Sequence, residues 1–86
     1  MRKDTSIGIG LHVEKQIIDL QIPIKVSGNR LKELLRESLE LLNISLPETF
    51  ELEILNKAIK LQGEVILANY ALGNGDQLIV KETMKK

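Results

Sequence analysis

The chain has 86 residues, and 12 Lys+Arg against 12 Asp+Glu leave a formal net charge of 0. That length makes one small domain, ordered from about residue 5 to 82, and the balanced charge argues against nucleic acid or an anionic membrane surface as partner. The absence of cysteine excludes disulfide scaffolds, thiol catalysis and Cys-type zinc clusters and suits a reducing compartment. No apolar run approaches the roughly 20 residues that span a bilayer, so a cytoplasmic protein without direct membrane insertion is expected.

Leu, Ile and Val number 30, against Phe50 and Tyr70 as the aromatics, so the core is branched-aliphatic. From Thr5 to Val13, Ile7, Ile9, Leu11 and Val13 alternate with Ser6, Gly8, Gly10 and His12, the period of a half-buried strand. After the polar break Glu14-Lys15-Gln16, Ile18, Leu20 and Ile22 alternate with Ile17, Asp19 and Gln21. This predicts a second strand paired back as a hairpin, ended by Pro23 on a sheet edge.

The period then changes to that of a helix. Leu31, Leu34, Leu35, Leu39 and Leu42 form one stripe, with Asn29 as its expected N-cap and Ser38 inside the stripe, where a small residue would allow close approach to a sheet. Lys32, Glu33, Arg36, Glu37 and Glu40 make the solvated face, with Arg36 and Glu40 an i,i+4 pair. Asn43 suits a left-handed stop, and Pro47 makes continuation costly. Phe50, Leu52 and Ile54 mark a third strand, Asn56-Lys57 a turn, and Ile59 and Leu61 a short strand broken at Gly63. One helical turn within Val65–Tyr70 brings Leu67 and Tyr70 to the core. Gly73-Asn74-Gly75-Asp76 is the strongest turn signal, and Leu78 and Val80 then point inward with Gln77, Ile79 and Lys81 outward. The tail from Glu82 to Lys86 is polar and expected to fray.

The order ββαββ predicts an α+β domain: a mixed four- to five-stranded sheet, the last strand central and parallel to the first, with the helix across one face. This is the β-grasp. The chain resembles the ubiquitin-like fold from Thr5 to Lys81, most tellingly in Leu67-Ala68-Asn69-Tyr70-Ala71-Leu72-Gly73-Asn74-Gly75-Asp76-Gln77-Leu78-Ile79-Val80. That stretch is similar to ubiquitin's passage from a short helical turn, through a buried tyrosine, into the last strand. The Asn-Gly-Asp turn followed by Leu-x-Val is similar to the bacterial YukD/EsaB family, ubiquitin-like accessory proteins of type VII secretion in Gram-positive bacteria. The resemblance implies a non-enzymatic protein that docks noncovalently to a component of a secretion machine, without cofactor or catalytic residues. The ending Thr83-Met84-Lys85-Lys86 lacks the Gly-Gly through which ubiquitin and sulfur carriers are activated, so conjugation is not expected. A protein modifier or sulfur carrier, and a β-grasp adaptor in another pathway, are the alternatives.

Residue by residue, chemistry is hard to place. His12 is the one histidine, so a triad or metal site lacks its usual partners, and a solvated strand histidine is the simpler reading. Gly8-Ile9-Gly10 lacks the third glycine of a dinucleotide fingerprint and lies within a strand, so it cradles no phosphate. The same two glycines mark either a bulge or a bare stretch of sheet. Leu55, by its spacing from Leu67, takes the outward position of the isoleucine in ubiquitin's recognition patch, and Ile79 projects on the same face. Gly8, Gly10, Leu55 and Ile79 are therefore the candidate protein-docking patch, with Lys81 standing where ubiquitin has an apolar residue. The exposed edge beside Ile59 could instead add a partner's strand. Oligomeric state is open between monomer and weak homodimer.

Overall fold

The structure, a computed structural model, describes residues 6–57 and 59–83. Its elements are β1 (Ser6–Val13), β2 (Gln16–Pro23), α1 (Gly28–Glu40), β3 (Phe50–Ile54), β4 (Ile59–Lys60) and β5 (Gln77–Glu82), with 3-10 turns at Leu55–Lys57 and Leu67–Asn69. The sheet order is β2-β1-β5-β3-β4. β5 lies at the centre, parallel to β1 and antiparallel to β3, as the element order required.

The four long strands keep the faces that their alternation assigns, whereas β4 is only Ile59–Lys60, with Ile59 37% exposed at the sheet edge and the buried Leu61 just past it. Ile7, Ile9, Leu11 and Val13 are buried, as are Phe50, Leu52, Ile54 and Leu78, while Ile18 and Leu20 on the edge strand β2 and Val80 further along β5 are partly covered. The β1–β2 register runs without a break from Ser6↔Pro23 to Val13↔Gln16, so the glycines at 8 and 10 mark no bulge. At the hairpin tip Glu14 takes φ 56, a left-handed conformation that this two-residue turn imposes on a side chain ill-suited to it. That conformation costs an ordinary residue about 1–2 kcal/mol. Glycine returns about 0.5–1 kcal/mol of this as unfolded-state entropy. Glu14→Gly is therefore expected to raise stability by about 0.5 kcal/mol, read as a higher urea midpoint at unchanged slope.

The helix departs from expectation at both ends and along its stripe. Its N-cap is Ser27 and not Asn29: the Ser27 hydroxyl accepts from the Arg30 N–H at 3.2 Å, with Ser27 in the extended conformation caps adopt. Asn29 lies inside the first turn because the segment 63–65 serves that turn's free donors, with Asn29 N–H to the Gly63 carbonyl at 2.9 Å and Gly28 N–H to that of Val65 at 3.2 Å. Burial then follows the row Gly28, Leu31, Leu35, Leu39, so Ser38 is exposed beside the contact and Leu34 is only half-covered. Leu42 also misses the stripe, since regular helix stops at Glu40. Asn43 does take the left-handed stop, φ 63. Its N–H donates to the Glu40 carbonyl at 3.0 Å and that of Ile44 to Leu39 at 2.9 Å, the paired bonds of a Schellman motif.

Arg36 does not make the expected pair with Glu40. It donates to the carbonyls of Pro47 and Glu48 at 3.0 and 3.3 Å and lies over the Phe50 ring, 5.4 Å from its centroid, so it ties the helix to the start of β3. Among the described residues, the ion pair on this helix is Arg30–Glu33, 2.9 Å. Leu67 is fully buried beneath the 3-10 turn, and the Tyr70 hydroxyl accepts from the Gln62 N–H at 2.7 Å. The tyrosine thus lies half-buried between the core and that loop. Thr5 and the tail beyond Thr83 lie outside the described residues.

Candidate functional site

The face of the sheet opposite the helix carries Gly8, Gly10 and Ile79 of the four candidate docking residues, while Leu55 lies in the 3-10 turn beyond the end of β3. Register sets them in rows. Ile17, His12, Ile79, Glu53 and Lys60 lie across the five strands in one row, and Asp19, Gly10 and Gln77 form the next. Gly8 faces Gln21 one row further, and Leu55 begins the 3-10 turn just past Ile54, at the end of the sheet where β5 starts.

The turn 73–76 is docked onto β1 by hydrogen bonds that explain its sequence. Gly8 N–H donates to Asn74 Oδ1 at 2.7 Å, Gly75 N–H to the Gly8 carbonyl at 2.8 Å, and Gly10 N–H to that of Asp76 at 3.1 Å. Asp76 Oδ2 accepts from the Gly73 N–H at 2.8 Å, and Gly75 has φ 92. Among the turn residues only Gly75 uses a positive φ; Asn74 is there for its side-chain oxygen.

Gly10 is not bare. The Gln77 side chain lies over it: a Cβ at residue 10 would meet Gln77 Oε1 at 2.6 Å, and Gly10 is buried. Gln77 Oε1 in turn lies 2.7 Å from His12 Nε2, and its amide donates to the Gly75 carbonyl at 3.2 Å. His12 is therefore half-buried and partnered, where a solvated residue was expected. Glycine at 10 makes room for this amide. At Gly8 an added Cβ would find only ordinary contacts, the nearest Gln21 Oε1 at 3.5 Å.

Gly8, Gly10 and Gln77 thus line one shallow groove of about 450 Å³, together with Asp19, Gln21 and Asn74. Ile79 stands apart from it in the next row, between His12 and Glu53, while Leu55 is exposed at 38%. Beyond Ile79 the face is charged: Lys81 reaches Glu53 at 2.7 Å and Lys60 reaches Glu51 at 3.2 Å, both diagonally across strands. The arrangement offers polar and backbone-like contacts beside the separate aliphatic side chains of Ile79 and Leu55, with Ile17 exposed at the β2 edge of the same row. Sequence reasoning set His12, Gln77 and Ile17 on the outward positions of their strands but left them out of the patch, and it assigned no place to Leu41, exposed at 86%.

A second concavity of about 570 Å³ between α1 and the start of β3 is lined by Lys32, Arg36 and several glutamates. Their carboxylates stand in an open, solvated groove rather than the apolar cleft that acid–base catalysis needs. Among the described residues no cluster of three or more His, Asp or Glu is arranged to hold a metal ion, and no helix is long and apolar enough to cross a membrane.

No family model matches the chain, and no curated protein does. Solved structures do. One described as "Molecular Mimicry of SUMO promotes DNA repair" superposes with TM-score 0.67 at 22% identity over 92% of this chain and 94% of that one. A ubiquitin of Caldiarchaeum subterraneum gives TM-score 0.64 at 14% identity, over 94% and 99% of the two chains. A chain of the "MycP5-free ESX-5 inner membrane complex, State II" gives 0.63 at 16% identity, over 95% of this chain but 23% of that longer one. At these identities the likeness shows the fold: the chain is an α+β domain of the ubiquitin-like β-grasp type.

Proposed function

We propose that this protein is a non-enzymatic ubiquitin-like module that serves a type VII secretion system by docking noncovalently to one of its components. The observation that carries the reading is the fold itself, matched in part of a chain of an ESX-5 inner membrane complex, beside the sequence resemblance of residues 67–80 to type VII accessory proteins. The docking face is the outer sheet surface, with Gly8 allowing close approach, the Gln77 amide that covers Gly10 offering polar contacts, and Leu55 and Ile79 as its aliphatic contacts.

Ile79→Arg tests both parts. The side chain points outward from β5, so the variant is expected to keep its melting temperature while losing the partner. Native protein and variant are each isolated from host lysate and the copurifying proteins identified by mass spectrometry. Secretion-machine subunits with the native protein alone support role and surface. Their recovery with both moves the surface elsewhere, and their absence from both removes the secretion role. The neighbours matched over nearly their whole length include a ubiquitin, which favours a protein modifier as the second reading. A heavier, denaturation-resistant band carrying this chain would establish that instead.

A further inference from the structure

β2 closes one side of the sheet, and its outer edge has no strand partner among the described residues. The hairpin determines which backbone groups it presents. Gly8 and Gly10 send their N–H groups away from β2, to Asn74 and Asp76, so the even-numbered residues of β1 bond toward β5 and the odd-numbered ones toward β2. Ile7, Ile9, Leu11 and Val13 lie opposite Ile22, Leu20, Ile18 and Gln16, and these are the hydrogen-bonded pairs. Ile17, Asp19, Gln21 and Pro23 therefore turn their N–H and C=O groups outward. Pro23 sits at an outward position, where its missing donor costs the β1 ladder nothing.

Natural edge strands are blunted by charge, lysine above all, by proline, by a bulge or by short length, and on β2 the proline is confined to the last residue, Pro23. β2 has eight residues in unbroken register and its one charge is Asp19. We propose that this edge pairs with itself: two copies of the chain join antiparallel about a two-fold axis at Leu20, making one continuous sheet.

The register is chosen by side-chain complementarity. Outward residues must face outward residues, which restricts the axis to a few positions. Centred on Leu20, Asp19 faces the partner's Gln21 and Ile17 faces the partner's Pro23. Each Asp19–Gln21 pair exchanges both its hydrogen bonds, and each Ile17 N–H donates to a Pro23 carbonyl. On the helix side Leu20 meets its own copy and Ile18 meets the partner's Ile22, covering the two residues that the monomer leaves half-buried at this margin. The outer face covers Ile17, the most exposed aliphatic of the strand. An axis at Asp19 would oppose two carboxylates, and one at Gln21 would carry Ile17 past the end of the partner's strand. Lys15 and the partner's Lys25 approach at both ends, so added salt strengthens the pairing. One strand edge buries less than the roughly 1,600 Å² of a standard interface, so the dimer is weak and concentration-dependent. It does not depend on the secretion role.

The test is sedimentation equilibrium from micromolar to millimolar chain, with variants at exposed Gln21. Gln21→Lys puts an ammonium opposite each Asp19 and is expected to tighten association about three- to tenfold. Gln21→Pro removes an outward donor and is expected to abolish the dimer with its thermal melting retained. The axis places Leu20 and its copy about 4.5 Å apart at Cα, within disulfide range, so Leu20→Cys in this otherwise cysteine-free chain is expected to crosslink with diamide as oxidant. A chain monomeric at millimolar concentration overturns the proposal and leaves the edge to a strand of another protein. A dimer that survives Gln21→Pro, or that Leu20→Cys does not link, overturns it by locating the interface elsewhere.

Discussion

Gly28→Val is expected to lower stability by about 3 kcal/mol, the upper part of the range for overpacking a well-filled site. At roughly 4–8 °C per kcal/mol for a domain of this size, the melting temperature falls by about 12–24 °C, measured by far-ultraviolet circular dichroism. The cause is backbone against backbone. A Cβ at residue 28 would meet the Gln62 carbonyl oxygen at 2.5 Å and its carbon at 3.2 Å, and the loop there cannot retreat freely. Its neighbours Gly63 and Val65 accept the N–H groups of Asn29 and Gly28, and the Gln62 N–H is held by the Tyr70 hydroxyl. Moving the loop breaks the helix start and the tyrosine contact together. Gly63→Ala is the control. Its Cβ meets the Asn29 side chain, Oδ1 at 2.5 Å, and that side chain can swing into solvent. Gly63 has no positive φ, so the cost stays below about 1 kcal/mol. Equal costs at the two positions would show that the 62–63 loop yields.

Leu78→Ala is expected to cost about 3–4 kcal/mol, within the range for a buried leucine whose cavity cannot collapse. Leu78 is fully buried on the central strand, paired on one side to Leu11 and on the other to Ile54, both themselves without exposure. Domains of this length hold roughly 4–13 kcal/mol in total, so the variant stands near the edge of folding. Leu20→Ala, on the edge strand and half-buried, is expected to cost only about 1 kcal/mol, because its surroundings already reach water. Urea unfolding of the pair measures the difference. Similar losses would mean that the core does not centre on β5.

How far each feature could be read from the sequence depends on the distance over which it is determined. The strand faces were legible because alternation is a property of neighbouring residues: β1 and β3 bury the side chains that their period assigns. The central place of β5 followed from element order. The left-handed Asn43 was legible too, since Asn is among the few residues that reach that conformation at small cost. The cap was not. Ser27 and Asn29 are both good caps by type, and the choice falls to Ser27 because residues 63–65 supply acceptors to the first turn. Ser38 and Leu42 were assigned to the stripe by helical angle alone, whereas the contact with the sheet follows one i,i+4 row and the helix stops early.

For the candidate site, the sequence determined which residues face outward and which face the core, because strand periodicity is intrinsic to the chain. Only the tertiary structure decided what that outer face consists of. Gln77 lies 65 residues beyond His12, and no local pattern announces that its amide will cover Gly10 and hold the imidazole. The docking of Asn74 on Gly8 is likewise an encounter between strands 66 residues apart. Side chains choose such partners among whatever the parallel pairing of β1 and β5 brings within reach, and that pairing exists only once the sheet is assembled.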